Sequence, residues 1–196
     1  MRPLGVALAV VLLAVFHLVR GRAPLVLGPV FAAAFLLIAG RFSGGVPVGG
    51  AGWALGCLGL TVLVYAVALL VPLTRRLFRD PRYEVSLGRA FFTGLVAVPL
   101  STVAVEEAAF RGALWPVAWV TPVRFGLWHV LPGARTNAAA PGRWATFGFT
   151  FAAGVVLALL RHFSGGLLAP FVLHWAANGL GVVASAVAAG VDRSGR

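Results

Sequence analysis

Most of this chain consists of apolar runs, flanked by arginines, that are long enough to cross a lipid bilayer. A helix that spans the roughly 30 Å hydrocarbon core needs about 20 mostly apolar residues. Runs of this kind cover residues 3–19, 24–40, 53–74, 89–119, 144–160 and 166–189. A further apolar run, 122–131, is only about half the required length, which predicts a short embedded helix or a re-entrant element.

The composition excludes a water-soluble fold. Hydrophobic residues make up 60% of the chain and charged residues 11%, whereas soluble domains are about 45–50% apolar and about 25% charged. The sequence therefore predicts an all-α protein, a polytopic transmembrane helical bundle of about six to seven membrane helices. We expect one integral membrane domain over residues 1–196. Residues 1–88 form helices without a motif, and residues 89–189 form the core that carries the polar motifs.

The positive charge indicates membrane topology. The formal net charge is +11, and every basic residue is arginine. Because these arginines mostly flank the apolar runs, they favour contact with anionic lipid headgroups over nucleic-acid binding. The segment 75–89 carries five of them, which predicts a cytoplasmic loop and an N-terminus on the outer side. The expected partner of the surface is the lipid bilayer, and no nucleic-acid partner is expected.

Three residues with reactive side chains are expected to have no catalytic role. Cys57 is the only cysteine and lies in an apolar run, so we expect a buried, inert thiol and no intramolecular disulfide. His17 and His162 each lie next to an arginine at the end of an apolar run, which predicts positions at the membrane interface.

Three charged residues lie together in the fourth run, at Glu106, Glu107 and Arg111. A charged side chain at the centre of a membrane helix costs about 2.5–3.5 kcal/mol, so such residues must pair, face a wet cavity or perform chemistry. Glu107 and Arg111 are four residues apart, which predicts an ion pair on one helix face. Glu106 has Phe110 at that spacing and is therefore a functional candidate.

Three other polar side chains occupy apolar elements, namely His129, His174 and Asn178. His174 and Asn178 are four residues apart and share a helix face. Each polar group needs a partner away from lipid, so we expect these residues to meet Glu106 in one interior cavity. Such a set could activate water and stabilise an oxyanion. Two histidines and a carboxylate are alternatively the ligands of a catalytic zinc ion.

In these residues the chain resembles the CPBP (CAAX protease and bacteriocin-processing, Abi) family of intramembrane proteases, which includes the type II CAAX prenyl endopeptidases. The family signature consists of three short motifs in order. All three are present here, as Glu106-Glu107-x-x-x-Arg111, Phe125-x-x-x-His129 and His174-x-x-x-Asn178. Each motif is weak alone, whereas their order and their apolar settings make the set specific.

The resemblance implies an endopeptidase that hydrolyses a peptide bond at or within the membrane. Glu106 would be the base that activates water, and His129 would orient or share its proton. His174 and Asn178 would stabilise the oxyanion. Glu107 and Arg111 would complete the polar network or bind the peptide or protein substrate.

We expect no cofactor, because Asn178 is a poor zinc ligand. If a metal is present, its ligands would be Glu106, His129 and His174.

Two other functions are compatible with the sequence. Some bacterial relatives are linked to bacteriocin immunity or to protein secretion, which leaves a non-hydrolytic immunity or scaffold protein as the alternative. A small transporter or proton relay is weaker, because the chain shows no repeated halves with matched broken helices. The absence of lysine suggests a bacterial genome of high GC content, and hence a location in the bacterial plasma membrane.

Overall fold

The computed structural model describes residues 2–80, 85–130 and 142–194. Within these ranges the regular structure is helical and contains no strand. Five of the described helices are long and apolar enough to cross a membrane, and a shorter apolar helix covers Pro3–Val19. The predicted all-α transmembrane bundle is confirmed. Its helices are α1 (Arg2–Val19), α2 (Pro24–Phe42), α3 (Ala51–Leu70), α4 (Pro72–Arg75), α5 (Leu87–Ala113), α6 (Thr121–Val130), α7 (Gly142–Ser164) and α8 (Leu168–Val191).

The outer surface of the bundle is apolar. Only 11% of the apolar window in α3 is buried inside the protein, and large side chains such as Leu55 and Leu63 are exposed along it. An exposed apolar surface of this extent marks contact with a membrane. The bundle therefore lies in the lipid bilayer, with α3 at its periphery.

The core of the bundle is aromatic and surrounds the polar residues. Phe16 of α1, Phe35 of α2, Phe110 of α5 and Phe125 of α6 belong to one buried cluster. Phe110 and Phe125 meet edge to face, with ring centroids 5.3 Å apart. Apolar side chains of these four helices therefore surround the charged segment of α5 and give it a low-dielectric environment.

The third predicted span ends earlier in the structure than the sequence pattern indicated. The prediction extended it to residue 74, whereas α3 ends at Leu70 and a separate one-turn helix, α4, begins at Pro72. Val71 between them is extended, with φ −87° and ψ 118°. A proline lacks the amide N–H and disfavours helical geometry in the residue before it, which explains the break.

The fourth predicted span is also too long at its C-terminal end. The prediction extended it to residue 119, but α5 ends at Ala113, and Leu114 leaves the helical region with φ −90° and ψ 5°. Pro116 has no amide N–H with which to continue the helical hydrogen bonds, and a 3₁₀ helix, Trp115–Val120, follows. A proline inside an apolar run predicts a kink or a break, and at Pro99 the helix is not broken. The helix continues there as a π-helical turn, Pro99–Val103.

The short element is a regular helix. α6 has 10 residues and is about 15 Å long, half of the hydrocarbon core. Most of the loop predicted over residues 132–143 lies outside the described residues, as do residues 81–84 of the arginine-rich loop.

Helices α5 and α8 cross in direct backbone contact at two glycines. A Cβ on Gly94 would collide with the carbonyl oxygen of Gly179, and a Cβ on Gly179 would collide with that of Gly94. Trp175 of α8 donates its indole N–H to the Gly94 carbonyl at 2.9 Å beside this crossing. Both glycines lie in π-helical turns, Thr93–Ala97 and Ala176–Leu180. The close crossing places the polar face of α8 against that of α5.

Candidate active site

Three helices carry the predicted site residues, and wide π-helical turns flank several of them. Glu106 and Glu107 lie in one α-helical turn of α5, between the π turns Pro99–Val103 and Ala108–Ala113. Asn178 lies in the π turn of α8. A π turn adds one residue to the helical repeat and so redirects the side chains that follow, and such turns are frequent at functional sites.

Glu107 and Arg111 form the ion pair that their spacing predicts. Nη1 of Arg111 donates to Oε1 of Glu107 at 3.1 Å, and Arg111 is only 1% exposed. Nη2 of Arg111 donates to the carbonyl of Gly154 in α7 at 3.2 Å, and the guanidinium lies 4.4 Å from the centre of the Phe125 ring. This burial places the pair inside the bundle, in contact with α6 and α7.

Glu107 has a second partner that the sequence did not indicate. Nδ1 of His174 donates to Oε1 of Glu107 at 2.7 Å. Because Arg111 holds Glu107 as a carboxylate, which can only accept, the proton of this bond belongs to Nδ1. Glu107 therefore sets the orientation and the tautomer of His174.

His129 is fixed in the same tautomer by the backbone. Its Nδ1 lies 2.8 Å from the carbonyl oxygen of Phe125, one turn earlier in α6. A carbonyl oxygen only accepts, so Nδ1 carries the proton. In both histidines Nε2 is thus left to face the rest of the site.

Glu106 lies opposite these two nitrogens. Its Oε2 is 3.7 Å from Nε2 of His174 and 3.8 Å from Nε2 of His129. Both separations exceed a direct N–H···O hydrogen bond and suit a shared water molecule. Its other oxygen, Oε1, accepts the indole N–H of Trp128 at 3.1 Å. Glu106 itself is 7% exposed.

A cavity of about 900 Å³ reaches Glu106 and His129. Asn178 lies in its wall and is exposed to it, whereas His174 is buried behind the wall. Tyr65 of α3 also lines the cavity and donates its hydroxyl proton to the carbonyl of Ala177 at 2.8 Å. The structure thus places one nitrogen of His129 and one of His174 within 4 Å of a Glu106 oxygen. Asn178 lines the cavity that reaches Glu106.

The spacing of this set differs from that of a zinc site. Two ligands of a tetrahedral zinc ion with bonds of about 2.0–2.1 Å lie roughly 3.4 Å apart. The two nitrogen-to-oxygen separations at Glu106 are 3.7 and 3.8 Å. In the part of the chain that the structure describes, no group of three or more His, Cys, Asp or Glu side chains is arranged to hold a metal ion. The side chains as placed do not fit zinc, and the absence of a cofactor stays a prediction.

Sequence patterns did not reveal Trp128, Tyr65 or Arg161 as neighbours of the site. Nε of Arg161, on α7, donates to the Arg111 carbonyl at 3.4 Å, and its guanidinium lies 4.9 Å from the Trp115 ring centre. Trp128 directly precedes His129, and a tryptophan beside a motif histidine was the one local signal for it.

The residues predicted to have no catalytic role are separate from Glu106. Cys57 lies in α3 beside a shallow apolar surface groove. His162 is exposed near the end of α7. His17 is half-buried and meets the Trp128 ring edge to face, with ring centroids 5.2 Å apart.

Comparison with known proteins identifies the family of the site-bearing segment. Residues 88–180 match the family model described as type II CAAX prenyl endopeptidase Rce1-like. This segment is just under half of the chain and contains all three motifs, from Glu106 to Asn178. No curated protein and no solved structure matches the chain. Over residues 88–180, the chain is therefore similar to the Rce1-like family of type II CAAX prenyl endopeptidases.

Proposed function

We propose that this protein is an intramembrane endopeptidase in which Glu106 activates a water molecule. The observation that carries the proposal is the placement of Oε2 of Glu106 at 3.7 and 3.8 Å from two imidazole Nε2 atoms. Oε2 of Glu106 and Nε2 of His129 can both accept a hydrogen bond, so a water molecule between them would satisfy both. A water molecule there donates one proton to Oε2 and the other to Nε2 of His129.

Hydrolysis then follows without a covalent enzyme intermediate. Glu106 takes a proton from the water, and the resulting hydroxide attacks the peptide carbonyl carbon. When the C–N bond breaks, Glu106 returns this proton to the leaving nitrogen, which gives a carboxylic acid and an amine. His129 orients the water throughout, because its Nδ1–H is held by the Phe125 carbonyl.

Two donors would stabilise the tetrahedral oxyanion. His174 supplies one when it is an imidazolium, with Nδ1–H bound to the Glu107 carboxylate and Nε2–H free to donate. Asn178 supplies the other from the cavity wall through its amide NH₂. Donors already fixed in place at a developing negative charge are among the largest contributors to catalysis.

The substrate is a peptide or protein segment that reaches the 900 Å³ cavity. Cavities of about 300–1,000 Å³ are typical of ligand sites, and this one is lined by both apolar and hydroxyl-bearing residues. We place the protein in the bacterial plasma membrane, where the substrate would be another membrane-associated chain. A prenyl group on the substrate is not expected in a bacterium.

The test is peptide cleavage by the full chain reconstituted in lipid vesicles. A library of internally quenched peptides serves as the probe, and mass spectrometry identifies the new termini. Glu106→Gln keeps the size of the side chain and removes the base, so the rate should fall by roughly 10²–10⁴-fold. Cys57→Ser is the control. Cys57 lies in the peripheral helix α3, so this substitution should leave the cleavage rate unchanged.

Two outcomes would reject the proposal. If Glu106→Gln cleaves peptides as fast as the wild type, Glu106 is not the base. If neither protein cleaves any peptide, the non-hydrolytic immunity or scaffold alternative becomes the better explanation. Metal analysis of the active protein tests the remaining point: activity that is lost to a chelator and restored by zinc would contradict the metal-free mechanism.

A further inference from the structure

The indole of Trp128 is a buried donor whose acceptor is the proposed base. Its Nε1 donates to Oε1 of Glu106 at 3.1 Å, and the residue is 4% exposed. We propose that Trp128 is a positioning residue that holds the Glu106 carboxylate in the orientation needed for water activation. This role rests on the proposed function, because it acts through Glu106 and not on the substrate.

The argument begins with the two oxygens of a carboxylate. The terminal torsion of a glutamate is broad and roughly two-fold, so either oxygen can face the imidazoles and the plane of the group is weakly fixed. The Trp128 N–H donates a hydrogen bond to Oε1 of Glu106, and Oε2 therefore faces His129 and His174. An indole N–H can only donate, so Oε1 of Glu106 is fixed as the acceptor of this bond.

The first helix holds the indole in place. Phe16 stacks on the Trp128 ring, with centroids 6.3 Å apart and an angle of 15° between the rings. His17 meets the ring edge to face, and the guanidinium of Arg20 lies 5.1 Å from its centre. Phe110 of α5 contacts the ring from another direction, with centroids 6.4 Å apart.

These contacts give α1 a function that its sequence did not indicate. Phe16, His17 and Arg20 lie outside residues 88–180, which match the family model. Phe16 and His17 lie near the C-terminal end of α1 and Arg20 follows directly after it, and all three contact the residue that binds Glu106. The orientation of the base is therefore set partly by a helix that carries no motif.

The first arm of the test measures the hydrogen bond without any substrate. The full chain is labelled with ¹⁵N at the indole nitrogens, and Trp128→Phe assigns the Trp128 signal among the six tryptophans. Glu106→Gln replaces a charged acceptor by a neutral one, so the Trp128 indole proton should move upfield. The indole signal of Trp119, which is 84% exposed, should stay in place. An unmoved Trp128 signal would overturn the proposal.

The second arm measures cleavage of the best peptide from the quenched library. Trp128→Phe keeps the ring and removes only the donor, so kcat should fall by roughly 10–100-fold while KM stays close to the wild-type value. Trp119→Phe is the matched control and should leave both constants unchanged. A Trp128→Phe protein with wild-type kcat, or with a changed KM alone, would show that the residue only fills space.

The third arm tests the contribution of α1. Phe16→Leu should also lower kcat, by a smaller factor than Trp128→Phe does. It should shift the Trp128 indole signal as well. Leu18→Ala on the same helix is the control, because Leu18 is 79% exposed. Failure of the two proposals can be told apart. A chain that cleaves no peptide removes the proposed function and this role together, whereas a chain with Glu106-dependent cleavage and an unmoved indole signal removes only the role of Trp128.

Discussion

The buried ion pair between Glu107 and Arg111 gives a prediction whose magnitude follows from the structure. Glu107→Gln keeps the size of the side chain and removes its charge. Arg111 is 1% exposed and has Glu107 as its carboxylate partner at 3.1 Å. The substitution therefore removes the nearest counter-charge of a buried guanidinium, which keeps the Gly154 carbonyl, the face of Phe125 and the more distant Glu106 carboxylate.

The loss in the free energy of unfolding caused by Glu107→Gln can be estimated in two ways. Two unit charges 3.1 Å apart attract each other by about 5 kcal/mol at an effective dielectric constant of about 20. Removal of one partner of a buried pair typically costs about 3–5 kcal/mol, because the other charge remains unpaired. Glu107→Gln should therefore lower the free energy of unfolding by about 3–5 kcal/mol.

The assay is reversible unfolding of the full chain in mixed micelles, followed by far-UV circular dichroism. The matched variant is the double substitution Glu107→Gln with Arg111→Met, which removes both charges of the pair and should lie closer to the wild type than Glu107→Gln alone. Arg22→Gln removes an exposed charge and should change stability by less than about 0.5 kcal/mol. A Glu107→Gln protein within about 1 kcal/mol of the wild type, or a double variant less stable than the single one, would refute the reasoning.

Three further predictions concern other parts of the bundle. Gly179→Ala should lower the free energy of unfolding by about 1–3 kcal/mol, because its Cβ meets the Gly94 carbonyl, whereas Gly190→Ala has open space and should be neutral in the same unfolding assay. Asn178→Ala should lower kcat by roughly 10²–10³-fold in the peptide assay and leave unfolding unchanged, because its side chain is exposed to the cavity. A cysteine at Arg79, in a Cys57→Ser background, should react with an impermeant thiol reagent only from the cytoplasmic side; labelling from outside would reverse the predicted orientation.

The positions of the membrane helices could be predicted from the sequence, because hydrophobicity and length decide membrane insertion. The five long spans and the short α6 all occur where apolar runs predicted them. The errors lie at the ends of two spans, before Pro72 and before Pro116. In both cases the apolar run continues past the proline, so hydropathy gives no boundary and the backbone chemistry of proline does. The π turns of α5 and α8 follow no simple sequence pattern.

Local spacing predicted only part of the site. The Glu107–Arg111 pair follows from a separation of four residues on one helix. The contact between His174 and Glu107 joins residues 67 positions apart, and that between Trp128 and Glu106 joins residues 22 apart. No rule of helical spacing reaches so far. The cost of burying polar groups in lipid indicated only that His129, His174 and Asn178 would meet Glu106. The catalytic roles of Glu106, His129, His174 and Asn178 stay predictions.

The charges and the hydrogen-bond acceptors of the polar cluster can be counted separately, and both counts indicate that the cluster needs one extra proton. The cluster consists of Glu106, Glu107, Arg111, His129 and His174. As carboxylates, Glu106 and Glu107 contribute two negative charges against the single positive charge of Arg111, so the cluster with neutral histidines would carry a charge of −1 inside the membrane. A charge at this depth is costly, and one further proton removes it. The hydrogen-bond count gives the same result, because Oε2 of Glu106 and the two Nε2 atoms are three acceptors facing one another. Under the proposed mechanism His174 holds that proton between Glu107 and the oxyanion. A bound water supplies the proton that Glu106 takes and later delivers to the leaving nitrogen. The cluster is then neutral before the water is split and again after the peptide bond has broken, so the chemistry proceeds in the bilayer without leaving a net charge in the site.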